Sequence, residues 1–450
     1  MAERWRCPAL LAAVTAGLGA VLAGQAQDPP FRVNRVFDRA TVISPGRSAR
    51  PSASIVITAP PGLRVADTGP SPRLAETTRR RMKQDGSPVA IGTYRVIRSA
   101  VMAEERPLLI HLPEDYERTT LRYPVLFHLY GQQVTNYFAD AVMTAERLGG
   151  TAEIPPMIVV GVANTDRYRD CLPLQADGKG PGGADRFLRF FAEELIPFID
   201  ASYRTKPYRV LAGPQAGGAF GLHALVTRPE LFNAYLLRIE NPFPGAEPFR
   251  RFFLDEAAAF VQRPPTPNRF VRIVHESDVD ADTAGFVRRL GEIVNGARLE
   301  SLRFEVQVEP PSGDFVPLVG LPPGLRAVFA GYRMPAAPPV ESLKAIEDYY
   351  RAFSVRLGVE VEPPDLVLTF AADSLIERGR LEPALELLAY EIRLHPGSLN
   401  ALWRLGEVNR KLGRLEEARD CYKRFLAIQS NDAALIRKRL AEVEQAIKKQ

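Results

Sequence analysis

Tyr208 to His223 reads YRVLAGPQAGGAFGLH, and the rest of the chain is organised around it. Tyr208 to Leu211 has the apolar and aromatic content of an extended segment, Gly213, Gly217 and Gly218 crowd a tight turn, and Ala219 to Val226 has the composition of a buried helix. Strand, sharp turn and helix follow in that order. A turn so tight, with glycines on both sides, lifts its central side chain clear of the sheet. That central residue is Gln215. A carboxamide has no proton whose loss yields a good nucleophile at neutral pH, so the turn has the shape to present a reacting atom but not the atom.

The flanking segments extend the pattern. Thr93 to Met102 and Leu108 to Leu112 read as paired strands, RYPVLFHLYG (Arg122 to Gly131) as a buried strand ending in glycine, and Met157 to Val162 as a second continuous apolar run of strand length. Phe187, Phe190, Phe191, Leu195 and Ile196 recur at helical spacing after Gly183, and Phe270 to His275 and Leu302 to Val308 supply further strands. Strands alternating with helices demand right-handed crossovers and a mostly parallel sheet with helices on both faces.

Together with NTDRYRD (Asn164 to Asp170), GGADRFLRFFAEELIPFIDASYRTKPYR (Gly182 to Arg209), RPELFNAY (Arg228 to Tyr235) and PLVGLPPGLRAVF (Pro317 to Phe329), the turn resembles the putative-esterase family of α/β hydrolases, which includes esterase D-like and enterochelin-esterase-like enzymes. The resemblance implies an α/β-hydrolase fold and carboxylic-ester hydrolysis by a serine, an acid and a histidine in that chain order. The family elbow reads Gly-His-Ser-x-Gly-Gly, whereas this chain has Gly213-Pro214-Gln215-Ala216-Gly217-Gly218. Glu276 and Asp278 are the candidate acids. The family histidine falls near Gly313, or near Phe315 with a short deletion, and EPPSGDFV (Glu309 to Val316) contains none. Loss of such a nucleophile costs on the order of a million-fold in turnover. His111, His128, His223, His275 and His395 lie in strands, on the elbow helix, at a strand end or in the C-terminal part, and are read as packed or surface residues rather than as a replacement base. Cys171 lies away from the elbow, and neither metal-ligand spacing nor a phosphate-binding loop is present.

What the resemblance leaves is binding. The Ala216 amide opens the elbow helix, where carbonyl or carboxylate oxygens are attracted, and Gln215 either hydrogen-bonds a ligand there or fills the old cavity. The strand ending at Tyr130 and Gly131 leads into the loop that supplies an oxyanion-hole amide in the family, and Tyr130 stands where an aspartate is frequent. Asp166, Arg167 and Arg169 either line the mouth of the cleft or pair with neighbouring ions and pin the loop.

Outside this region the composition is that of an ordinary globular chain, with 46% hydrophobic and 25% charged residues over 450 positions. The formal charge of +5 is concentrated in part at Arg79, Arg80, Arg81 and Lys83, a solvated linker without the aromatic interleaving of a nucleic-acid site. Residues 1–26 have a basic start at Arg4 and Arg6, an uncharged apolar run from Ala9 to Leu22 and small residues before Gln27, the pattern of a secretory signal. The mature chain is therefore expected in the periplasm or outside the cell of a bacterium, without a stable membrane span. Cys171 and Cys421 are expected as free thiols because they fall in different domains.

Residues 27–91 form a Pro/Arg-rich segment, either disordered or adding a small β element at Ser54 to Thr58. Residues 92–336 form the α/β-hydrolase domain, and 337–364 a connector helix (Val340 to Leu357) and linker. In residues 365–450, RGRLEPALELLAYEIRLHP (Arg378 to Pro396) repeats as LGRLEEARDCYKRFLAIQS (Leu412 to Ser430), with Gly379 matching Gly413 and Ala384 matching Ala418 at a 34-residue period. This small all-α region resembles two tetratricopeptide repeats with a capping helix from Asn431 to Lys449, expected to lean on the connector or the hydrolase domain. The expected function is an exported, degenerate, inactive α/β hydrolase without a cofactor, binding a small ester- or carboxylate-like ligand in the cleft or a protein partner through the repeats. The alternatives are an active carboxylic-ester hydrolase and a repeat-based interaction scaffold.

Overall fold

The computed structural model describes residues 54–57, 89–114, 116–175, 180–240, 246–263, 268–311, 320–335, 340–429 and 433–449. The signal segment 1–26, nearly all of 27–91 and the late-loop positions Gly313 and Phe315 lie outside them. The chain divides into two units, Met1–Pro51 with Ile55–Ala90, and Ser52–Ser54 with Ile91–Gln450. Residues 55–57 of a short strand at Ser54–Ile57 belong to the first.

Strands β1 (Val89–Ser99), β2 (Glu104–His111), β3 (Tyr123–Leu129), β4 (Ile158–Val162), β5 (Thr205–Gly213), β6 (Ala234–Arg238), β7 (Arg269–Glu276) and β8 (Leu302–Glu309) are hydrogen-bonded side by side in the order β1-β2-β4-β3-β5-β6-β7-β8. β2 runs antiparallel to both neighbours, and the other pairs are parallel. Every residue of β3, β4 and β6 is buried, the outcome required of continuous apolar runs covered on both faces. This is the α/β-hydrolase fold. β2 begins at Glu104, earlier than the apolar pattern suggests, because Arg106 in its interior is fully buried and donates to Asp170 at 2.8 Å and Glu104 at 2.7 Å.

The helices between strands are α1 (Ala139–Gly150), α2 (Arg167–Cys171), α3 (Ala184–Phe190), α4 (Ile196–Ser202), α5 (Ala216–Thr227), α6 (Ala246–Phe260) and α7 (Ala281–Gly296). A π turn at Phe191–Leu195 joins α3 to α4. The wider turn shifts the helical phase, so the consecutive Phe190 and Phe191 are both fully buried. Phe187 lies 4.8 Å from Phe220 of α5, and Phe191 5.7 Å from Phe127 of β3 and 5.6 Å from Phe232, so one aromatic cluster welds the elbow helix to the sheet.

Beyond α8 (Leu321–Val328), the connector is α9 (Leu343–Leu357). It starts at Leu343 rather than Val340 because Ser342 caps it through the Ala345 amide, and Gly358 ends it at φ 76°. Tyr350 donates to the Tyr332 carbonyl and Tyr349 to that of Gly331, both at 2.6 Å. Lys206 of β5 donates to the Glu360 carbonyl at 2.6 Å and pairs with Glu362, tying the segment after α9 to the sheet.

The C-terminal hairpins are α10 (Asp365–Glu377) with α11 (Leu381–Leu394), and α12 (Leu399–Lys411) with α13 (Leu415–Ile428), followed by α14 (Ala434–Ile447). Gly379 and Gly413 turn the two hairpins at φ 72° and 76°, and Ala384 and Ala418 are fully buried at equivalent points. Cys171 and Cys421 are both free and buried. Among the described residues no helix is long and apolar enough to cross a membrane.

Glu391 of α11 is fully buried and accepts from Thr369 of α10 at 2.9 Å and from Ser398, the cap of α12, at 3.3 Å. Burial first, and the Asp365 carboxyl second, push its pKa well above the ordinary value of 4.5. The folded repeats thus hold a proton that the unfolded chain releases. Their stability from this group is complete below the unfolded pKa and is lost as pH rises through the folded one. Unfolding of the repeats followed between about pH 5 and pH 9 should show this decline, and Glu391→Gln, which keeps the shape without the charge, should flatten it.

Candidate functional site

The elbow stands at the carboxyl end of β5, between Gly213 and the first turn of α5. Gln215 has φ 53° and ψ −124°, a backbone region costly for any residue with a side chain, by about 1–3 kcal/mol. The turn is forced by close approach. A Cβ on Gly213 would lie 2.2 Å from the Gly217 carbonyl oxygen, and one on Gly218 would lie 2.4 Å from that of Arg238 on β6. The Gly217 and Gly218 amides donate back to the Pro214 and Gln215 carbonyls at 2.8 Å, which leaves the buried Ala216 at the head of the helix.

Arg167 of α2 reaches this turn. Its guanidinium donates to Gln215 Oε1 at 3.3 Å and to the Tyr168 hydroxyl at 3.4 Å, and it lies 5.0 Å over the Tyr168 ring and 5.7 Å over the Tyr130 ring. Tyr130 is fully buried at φ 66°, packs edge-on against Tyr137 at 5.7 Å, and its amide donates to Asn164 Oδ1 at 3.4 Å. Burial drives the Tyr130 phenol well above its ordinary pKa, so it stays protonated. Gln215, Ala216, Tyr130 and Arg167 are therefore gathered at one point: a helix N-terminus, a carboxamide, a phenol and a cation held between two rings. With Oε1 taken by Arg167, the Gln215 amide nitrogen keeps two protons to offer.

Asp166 and Arg169 are engaged in other contacts. Asp166 caps α2 through the Tyr168 and Arg169 amides. Arg169 pairs with Glu104 at 2.7 Å and Asp170 at 2.6 Å, and its bonds hold the Glu104 carboxyl down at about 2. Glu276, at the end of β7, accepts from Arg238 at 2.6 Å, while Asp278 is exposed in the following turn.

Each imidazole has a hydrogen-bond partner outside the elbow turn. His111 bonds Glu146 at 2.8 Å, His223 bonds Asp185 at 2.7 Å, and His275 and His128 donate through Nδ1 to the Glu276 and Leu129 carbonyls at 2.9 and 2.7 Å. His395, in the repeats, lies 3.5 Å from the Pro363 carbonyl. His128 lines a cleft of about 40 Å³ with Tyr137, Gly213, Pro214, Arg238 and Arg272 at the carboxyl ends of the strands. Its burial lowers its pKa to about 4, which makes it a feeble proton acceptor at neutral pH. Burial also raises the Cys171 thiol far above its ordinary value, so no thiolate is available there. Among the described residues no three His, Cys, Asp or Glu side chains are gathered to hold a metal ion.

Sequence reasoning named Arg167 but could not separate it from Arg169 two positions on. It missed Tyr137 and Tyr168, aromatic residues without a motif, which cover the cleft and the Arg167 guanidinium.

Residues 99–278 match the family model described as putative esterase, and residues 399–432 match a tetratricopeptide repeat. Among curated proteins, the chain is 30% identical over 133 residues to the ferri-bacillibactin esterase BesA of Bacillus subtilis, covering 25% of this chain and 46% of that protein. It is 43% identical over 58 residues to a siderophore enterobactin esterase of Emericella nidulans, covering 12% of this chain and 19% of that protein. The chain thus spans less than half the length of each of these relatives. Among solved structures, an IroE-like serine hydrolase from Shewanella oneidensis superposes with a TM-score of 0.56 at 24% identity, covering 67% of this chain and 98% of that one. An uncharacterised protein from Capnocytophaga ochracea superposes at 0.53 with 16% identity, covering 78% and 99%. These likenesses are of fold.

The elbow geometry makes a paired prediction. Gly213→Ala should destabilise by about 1–3 kcal/mol through overpacking. Gly285→Ala, in the interior of α7 with open space around its Cβ, should stabilise by about 0.5–1 kcal/mol. Denaturant unfolding of the two variants checks both signs.

Proposed function

We propose that this chain, whose residues 99–278 form a putative-esterase domain, is an exported hydrolase-shaped binding protein that holds a small carboxylate- or ester-bearing ligand at the elbow without turning it over. One observation carries the proposal: at the point of the turn stands Gln215, in the strained backbone of a nucleophile elbow, with Arg167 bonded to its carbonyl oxygen. Glu309 to Val316, where the resemblance puts the family histidine near Gly313 or Phe315, contains no histidine. A guanidinium beside a helix N-terminus suits an oxyanion of the ligand, and the Gln215 amide protons and the Tyr130 phenol suit its remaining oxygens. The curated relatives are named as siderophore esterases. A siderophore ester such as enterobactin, or the acid released from it, is therefore the first ligand to offer.

Export follows from the signal-like residues 1–26, and the repeats supply a second surface for a protein partner.

The relatives' names also favour an active ester hydrolase, and one set of measurements separates the readings. The purified chain should neither react with a fluorophosphonate serine probe nor hydrolyse a short-chain nitrophenyl ester or enterobactin above background. Labelling, or hydrolysis that falls on Arg167→Gln, would overturn the binding reading. Gln215→Ser alone should stay inactive because the base is missing as well. In calorimetric titration with enterobactin and its hydrolysis product, Arg167→Gln should weaken binding by roughly tenfold or more, as expected for a lost charge-assisted hydrogen bond of about 1.5–3 kcal/mol.

A further inference from the structure

The amino ends of β5, β7 and β8 open on a second cavity, of about 160 Å³, at the opposite end of the parallel strands from the elbow. The sheet and the turn before β8 form one wall, and the last turn of the connector α9, through Arg356 and Leu357, forms another. Three arginines line it, Arg269, Arg303 and Arg356, against the single carboxylate of Glu300, with Asn268 and Ser301 adding polar groups. The volume is well beyond what one water needs.

The cations are held in position. Arg269, 4% exposed, donates to the Pro229 carbonyl at 2.6 Å and to that of Asn268 at 3.1 Å. Arg303 lies 5.1 Å over the Phe270 ring and pairs at 2.5 Å with Glu305, which offsets part of its charge from outside the lining. Arg356 donates to the Ala330 carbonyl and lies 4.8 Å over Phe353. Burial raises the Tyr208 phenol in the same lining, while the charges of Arg269 and Arg356 both pull it back. The lining sets three arginines against the one carboxylate of Glu300, so it carries an excess of positive charge.

We propose that this cavity binds a small divalent oxyanion, a phosphate or a dicarboxylate, and that the bound ion bridges the hydrolase domain to the connector helix. Guanidiniums recognise such oxygens through paired N–H donors, in geometry that lysine cannot match. Arg356 comes from the connector while Arg269 and Arg303 come from the sheet, so occupancy draws the two together.

The test uses the full chain, titrated with inorganic phosphate or succinate against chloride at matched ionic strength, with melting temperature and hydrogen exchange of residues 343–357 as readouts. The expected result is a rise in melting temperature that sets in at low millimolar anion and grows with the logarithm of its concentration, with added protection of the connector, and whichever of the two anions gives it identifies the ligand class. Arg303→Gln and Arg356→Gln should each weaken binding at least tenfold. Glu300→Gln, at an exposed position that does not endanger folding, should tighten it, and Arg167→Gln at the elbow should leave it unchanged. Absence of binding by either anion up to about ten millimolar, where a low-millimolar site is mostly filled, would overturn the proposal. So would binding that survives both arginine substitutions, ignores Glu300→Gln or follows Arg167.

Discussion

Residue 215 is held by its surroundings in a backbone conformation that only glycine adopts without cost, and the organisation of the site depends on that constraint. Gly213 meets the backbone of Gly217, Gly218 meets the backbone of β6, and Phe220 locks the helix into the aromatic cluster on β3 and α3. The turn is thus determined by contacts that do not involve the side chain at its apex. A serine hydroxyl and a glutamine carboxamide are carried equally well by such a turn, so its architecture does not depend on which side chain stands at its apex.

The position of Arg167 depends on a second layer. Arg106, buried in β2 with its guanidinium 5.0 Å over Phe187, joins Asp170 and Glu104, and Arg169 closes the group from the other side. Burying a lone charge is expensive, and here each is met by an opposite one within hydrogen-bonding distance. This network fastens the short helix α2 to β2. Of the two arginines that α2 carries, one serves the fastening and the other is left to reach the elbow.

Much of this was legible in the chain. The continuous apolar runs of β3 and β4, the glycine spacing around Gln215 and the 34-residue repeat each express a local rule, period or steric demand that a sequence displays directly. The features that were not legible arise from tertiary approach. Arg106 disguises a strand interior as a polar segment, the π turn at Phe191–Leu195 hides inside an apparently regular helix, and α6 carries no motif. The division of labour between Arg167 and Arg169 is invisible because both sit in the same alternation of acids and bases, and only distance to Gln215 or to Glu104 separates them.

Lys206, near the start of β5, grips the Glu360 carbonyl and the Glu362 carboxylate, and the same strand ends at the elbow. The tail is therefore geared to the strand that carries the site: any load on the helical hairpins that shifts the segment after α9 must either rupture that clasp or transmit tension along β5 to the turn at its far end.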